Sequence, residues 1–304
     1  MKPALPSAWC LLGKHPSRAD FVRVNVTSDV AVELHRFLEL GVELLHRQRQ
    51  ALTLEPTRFL FAPKGGGAAL LGVLQAGVDS AGRHFPMAAF LEYSPERLPS
   101  SLGEVPFFAN EALDAAQAFL KERAASTELL DDAVSQVPLP GANTAGKARG
   151  QLEQALASVK VADLQELFAA GPLGGAWYAV KTVLMACDTR RKGTGEAPTL
   201  ECPLSPAFGP APWLELVTRG NPGSAPPTMF WNASRLFVSL GAPPAAIFTG
   251  LVGGVVSSTK VWPLATTQQA AITSARASLR SVPLLANPEA SFLEALSGLG
   301  GPKR

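Results

Sequence analysis

Along the first 135 residues the spacing of apolar positions changes several times, and each change marks a predicted element. Trp9 to Leu12 and Phe21 to Val26 read as two short strands, hinged by a polar stretch that begins at Gly13. Ser28 and Asp29 then offer a helix N-cap. Leu34, Phe37, Leu38, Gly41, Leu44 and Leu45 follow at helical spacing, with Glu33, Arg36, Glu43 and Arg47 on the opposite face. This predicts a long amphipathic helix over 29–50, packed through Leu34, Phe37, Leu38 and Leu45. Three strands are predicted next: TRFLFA (57–62), AALLGVLQA (68–76) and RHFPMAAFLEY (83–93). Their connections, PKGGG (63–67) and GVDSAG (77–82), are short and glycine-rich, as antiparallel neighbours require. Helical spacing returns over 107–124, and a second helix is expected in TELLDDAV (127–134).

The order strand, strand, helix, three strands, helices predicts an α+β fold: a five-stranded antiparallel sheet within 8–95, with helices packed on it. PLPGANTAGKARG (138–150) reads as a linker between residues 1–137 and a smaller mixed α/β region, 151–304. In that region helices are expected at 151–169 and 176–187, and a second linker at TRRKGTGEAPT (189–199). Strands are expected in TMFWNA (228–233) and RLFVSLG (235–241), with a short helix in PPAAIFTGLV (243–252). There is no internal repeat and no coiled-coil heptad pattern.

Composition narrows the class. Of 304 residues, 47% are hydrophobic and only 17% charged, enough for a large packed core; an average domain is roughly a quarter charged. A net charge of +2 gives no general pull toward nucleic acid or anionic membrane. The three cysteines, Cys10, Cys187 and Cys202, are odd in number and widely spaced, which suits reduced thiols in a cytoplasmic protein. The N-terminal apolar run is short and interrupted by proline, unlike a signal peptide. AAIFTGLVGGVVSS (245–258) falls short of the ~20 residues that span a bilayer.

GANTAGKA (141–148) fits the phosphate-loop pattern except that Ala148 stands where Ser or Thr would hold magnesium. VPLP leads into it where a buried strand is needed, so a linker is the better reading. PKGGG could form an anion nest, but a glycine-rich turn explains it with less. Of the four histidines, His35 and His46 are expected on the helix surface. His15 and His84, with Asp20 and Asp79, could be assembled into a metal set, and Ser17, His84 and Asp79 into a nucleophilic triad. Neither has supporting local spacing. No catalytic residue, metal or cofactor is expected.

What remains is a pair of similar polar clusters. GKHPSRADFVR holds Lys14, His15, Pro16, Asp20, Phe21 and Arg23; GVDSAGRHFPM holds Asp79, Arg83 and His84. Charged residues in tight turns between strands usually pair with one another or with backbone groups. Asp20 and Asp79 are therefore expected to accept from Arg83, Lys14 or nearby amides, with Arg83 bridging the two carboxylates. A structural turn is favoured over a partner-contact surface, and the two coexist if Lys14 and His15 face outward.

Together these clusters resemble the TagF (ImpM) family, accessory proteins of bacterial type VI secretion. Gly13, Lys14, Pro16, Asp20, Phe21 and Val22 match its first motif, with Arg23 near the motif's arginine. Gly72, Val73, Asp79, Gly82, Arg83, Phe85 and Pro86 match the second. Ala19 replaces a usual glycine, Ala76-Gly77 stands in place of Pro-Ser, and a Trp-rich helix motif is absent. The resemblance is good over about 9–93. It implies a longin-like (profilin-like) domain, which the strand and helix order also suggests. It further implies a non-enzymatic cytoplasmic regulator that acts post-translationally by binding a scaffold or assembly component, such as a forkhead-associated scaffold protein, and represses assembly or firing. The rival expectation is a phosphate or phosphopeptide sensor, or a hydrolase, using Lys14, Arg83 and His84.

Overall fold

The computed structural model describes residues 6–62, 67–141, 144–168, 172–193, 196–265, 268–278 and 283–297. Five N-terminal strands form: β1 (Cys10–Gly13), β2 (Val22–Val24), β3 (Thr57–Phe61), β4 (Ala69–Val78) and β5 (His84–Tyr93). They are antiparallel, in the order β2-β1-β5-β4-β3. The connection Pro63 to Gly66, expected to be a turn, lies outside the described residues.

The sheet does not stop at five. Four further strands, β6 (Thr199–Pro203), β7 (Thr228–Trp231), β8 (Arg235–Ser239) and β9 (Val261–Pro263), continue it in the order β7-β8-β6-β9, giving nine among the described residues. The junction is the antiparallel pairing of β3 with β7, with Phe59 opposite Phe230. Thr228 reinforces it: its hydroxyl donates to the Ala62 carbonyl and accepts from the Ala62 amide, both at 3.0 Å. The five-stranded expectation is corrected here for a physical reason. TRFLF is buried throughout or nearly so, and such a strand left at a sheet edge would invite aggregation; β7 covers it. At the far end β9 runs parallel to β6.

Successive residues of β4 and β5 enter opposite faces of the sheet, and most, from both faces, are buried. Both faces must therefore be covered. One carries α1 (Asp29–Arg47) and α7 (Ile247–Leu251); Phe37 of α1 stacks on Phe230 at 5.3 Å and meets Phe61 and Phe248 at 5.9 and 5.5 Å. Leu34, Phe37, Leu38 and Leu45 are buried there as expected, and the helix ends before Arg49, whose φ is +55°. The other face is covered by α2 (Asn110–Arg123), α3 (Thr144–Ser158), α4 (Val161–Glu166), α5 (Pro172–Lys192), α6 (Pro210–Gly220), α8 (Gln269–Ser278) and α9 (Phe292–Ser297).

Several local expectations change. The segment read as a linker over 138–150 is helical from Thr144, and Ala148 is fully buried. No strand leads into Gly141, and Lys147 pairs with Glu111 at 3.3 Å on the surface; Ala142 and Asn143 lie outside the described residues. TELLDDAV is not an α-helix: Leu130 is buried from a bend, and Val134 from a 3-10 turn at Ala133–Gln136. The second linker is helical to Lys192 and enters β6 at Thr199; Thr194 and Gly195 are not described. Cys10, Cys187 and Cys202 are buried free thiols, and burial pushes Cys10 up to about 11 and Cys187 to about 12.

Candidate functional site: a charged corner organised by Asp79

The corner arises where the turn after β1 meets the β4–β5 hairpin. Two glycines permit the approach. A Cβ on Gly13, at φ +142°, would stand 2.1 Å from the Pro86 carbonyl oxygen, and one on Gly77 would stand 2.4 Å from that of Lys14. The turns are stitched together by the Ser80 amide, which donates to the Arg18 carbonyl at 3.1 Å.

Asp79 is the hub. Its side chain is fully buried, and Oδ2 accepts from Lys14 Nζ and Arg83 Nε, each at 2.7 Å. Oδ1 accepts from the Ala81 and Arg83 amides at 3.0 and 2.9 Å. Burial pushes the pKa up. The Lys14 ammonium, the Arg83 amide and guanidinium, and the Ala81 amide outweigh it and hold the carboxyl well below the usual carboxylate range. Arg83 also donates through Nη2 to the Ala19 carbonyl, so it bridges a carboxylate and a backbone carbonyl. The expected second aspartate is not its partner: Asp20 is exposed and accepts from the Phe21 amide at 2.7 Å. A peptide oxygen beside it serves Arg83 without a second desolvated charge.

Lys14 and His15 do not face outward; they are 8% and 4% exposed. His15 Nε2 lies 2.6 Å from the Arg123 carbonyl at the end of α2. A carbonyl only accepts, so Nε2 carries the proton; Nδ1 then accepts from the Ser17 amide at 3.3 Å and faces the Ser17 hydroxyl at 2.9 Å. His15 is thus a clamp between the turn and α2. Arg18 adds a second link to the segment after α2 through Asp131 at 2.8 Å.

Phe21 roofs the cluster. Lys14 Nζ lies 5.3 Å from its ring centre and Arg23 5.9 Å. Its ring meets His35 and Phe85 edge-on at 4.8 and 4.9 Å. Burial lowers the pKa of His35, with Glu39 raising it and Arg23 lowering it.

The chain from β1 through the 3-10 turn at Ala133–Gln136 can now be compared with known families. Residues 10–137 match the family described as the TagF N-terminal domain, type VI secretion system-associated. Over these residues the chain is similar to TagF N-terminal domains. Among solved structures, PA0076 from Pseudomonas aeruginosa PAO1 is similar at 26% identity, with a TM-score of 0.37. The similarity covers 44% of this chain and 64% of PA0076, so the chain spans less than two thirds of that protein's length. No curated protein matches.

Within this TagF-like region the motif residues separate into a buried set and a rim. Lys14 meets the Asp79 carboxylate from inside and Arg83 meets it from the exposed rim, His15 anchors α2, and Pro16 is half-buried in the turn. Asp20, Arg23 and His84 are exposed, beside the half-buried Phe21. Ser17 bonds His15, not His84, so the triad does not assemble. Among the described residues no three His, Cys, Asp or Glu side chains gather as metal ligands. His35, expected on the surface, belongs to the cluster. Its place beside Leu34 and Leu38 on the apolar stripe was the available signal. The Ala19 and Arg123 carbonyls had none, because backbone acceptors leave no mark in side-chain chemistry.

Proposed function

We propose that the chain is a non-enzymatic regulator of type VI secretion that acts in the cytoplasm by binding an assembly component. The binding surface is the rim of the TagF corner: Asp20, Phe21, Arg23, Arg83 and His84. The observation that carries this reading is the division of labour around Asp79. Lys14 and Arg83, the two cations a phosphate sensor or hydrolase would need, already converge on one buried carboxylate. Their arrangement suits holding a surface in shape. Arg23, meanwhile, is exposed and pairs with no carboxylate among the described residues, and its guanidinium lies near the Phe21 ring. Exposed arginine and aromatic groups on a rigid support are what protein interfaces favour.

The resemblance nominates a forkhead-associated scaffold protein as partner and repression of assembly or firing as outcome. No helix among the described residues is long and apolar enough to cross a membrane. Affinity purification of the full chain, from cells with and without the secretion apparatus, tests the reading. A type VI component, with the forkhead-associated scaffold foremost, should be enriched only when the apparatus genes are present. Recovery of no such component, or turnover of a phosphate ester by the purified chain, would sink it.

A further inference from the structure

A second surface lies outside the TagF-like region, in the second half of the chain. Tyr178, Lys181 and Met185 fall on one stripe of α5, at i, i+3 and i+7. With Trp262 and Pro263 of β9 and Ser274 of α8 they line a groove of about 430 Å³. Tyr178 and Trp262 are partly buried and pack against the core, which holds both rings in place. Met185 is 51% exposed, and Pro263 and Ser274 are exposed as well, so the groove lies open to solvent. A small ligand usually loses most of its surface to an enclosing pocket. An open groove walled by aromatic rings and a methionine suits a segment of another protein.

Two observations narrow what that segment can be. The first is charge. Lys181 is half-buried; its one bond runs from Nζ to the Ser274 hydroxyl at 2.9 Å, and no carboxylate among the described residues pairs with it. Lys160, Lys192 and Lys260 differ, since they hold Glu289, Asp188 and Glu196. No acidic residue lines the groove. It is an apolar slot with one cation at its side.

The second observation is the sheet edge. β9 is the last strand of the sheet, beside β6. The Thr199 amide donates to the Lys260 carbonyl and the Leu264 amide to the Glu201 carbonyl, so the backbone of Val261 and Pro263 turns outward. The Val261 amide is taken by the Ser258 carbonyl at 3.2 Å, and proline has no amide. A strand added here would find carbonyls and no donor. Recognition must therefore run through side chains.

We propose that this groove docks a segment of a partner protein that seats one large apolar side chain against Tyr178, Met185 and Trp262 and sets an aspartate or glutamate carboxylate on Lys181. Burial of the apolar side chain supplies most of the affinity. The carboxylate fixes orientation and selects against basic segments. The proposal does not depend on the role of the corner around Asp79.

The Met185 methyl group reports on the site, because the other described methionines, Met87 and Met229, are buried. The full chain, labelled at its methionine methyls, is titrated with three blocked dipeptides: acetyl-Phe-Glu-amide, acetyl-Phe-Lys-amide and acetyl-Ala-Glu-amide. The first should shift the Met185 resonance saturably at millimolar concentration, and the other two should bind about tenfold more weakly or worse. Lys181→Glu should reverse the order of the two phenylalanine peptides. Ser274→Asp, which gives Lys181 a carboxylate of its own, should weaken the Phe-Glu peptide about tenfold, and serves if Lys181→Glu fails to fold. A shift that does not saturate, or equal binding of the Phe-Glu and Phe-Lys peptides, would overturn the proposal. So would much tighter binding of phenylpropionate, which would assign the groove to a free organic acid. A Met185 shift driven by chain concentration alone would assign it to a second copy and overturn it too.

Discussion

Lys14 Nζ lies 2.7 Å from Oδ2 of Asp79, sixty-five residues along the chain, and both side chains are nearly or wholly shut off from water. Arg83 reaches the same oxygen from the solvent side with a side chain 60% exposed. Removing a buried partner strands the charge it neutralised, whereas water can take the place of an exposed one. Lys14→Ala should therefore lower the melting temperature by roughly 10 °C, and Arg83→Ala by only a few degrees. Melting curves of the two variants check the order. The reverse order would restore Arg83 as the structural cation that the sequence suggested.

Gly13 sets how closely β1 runs beside β5. An alanine there meets the Pro86 carbonyl and a positive φ at once. Gly13→Ala should cost about 3 kcal/mol or more, near the top of the range for single substitutions. Denaturant titration would measure it; a loss below about 1 kcal/mol would mean that the strands can part at no great cost.

Phe37 joins the two parts of the chain by packing on Phe61 from β3, Phe230 from β7 and Phe248 from α7. Phe230→Ala should cost about 3–5 kcal/mol. It should also shift a single unfolding transition shared by Trp9, in β1's approach, and Trp231 in β7. Fluorescence of variants retaining one or the other tryptophan would reveal two separate transitions if the sheet were not one cooperative unit.

Both shifted groups at the corner make the fold less stable in acid. His35 has a lowered folded pKa, so the unfolded chain takes up its proton first, and stability falls as pH drops through the unfolded value near 6.5. Asp79 also has a depressed folded pKa. Its contribution is complete above the unfolded value near 3.9 and is lost as pH falls from there toward the folded one. Melting temperature against pH should show a shallow loss below about 6.5 that disappears in His35→Phe, and a steeper loss below about 4 that remains. An unchanged profile in His35→Phe would remove His35 from the account.

The N-terminal strands and α1 were legible because their signals are local: apolar periodicity, glycine-rich turns and an N-cap. β6 was missed because TLECP is short, carries Glu201 and Pro203, and is fixed by β8 and β9, which come later in the chain. For α6 the signal existed: Pro210 sits in the first turn, and Trp213, Leu214, Leu216 and Val217 are buried. At the corner, side-chain types showed that Lys14, Arg83 and Asp79 would pair. Which cation would be buried depended on how β1 crosses the β4–β5 hairpin, a tertiary fact with no local trace.

In the proposed arrangement a buried pair shapes the corner and an exposed rim meets the partner. The double variant Arg23→Glu, His84→Glu tests this most directly, since both side chains are exposed and neither bonds to Asp79. Its melting temperature should stay within about 2 °C of the parent, as surface changes usually cost little. In affinity purification from cells carrying the apparatus it should lose the type VI component that the parent enriches, by tenfold or more. A variant that melts like the parent and captures the component equally well would contradict the claim that this rim is the binding surface.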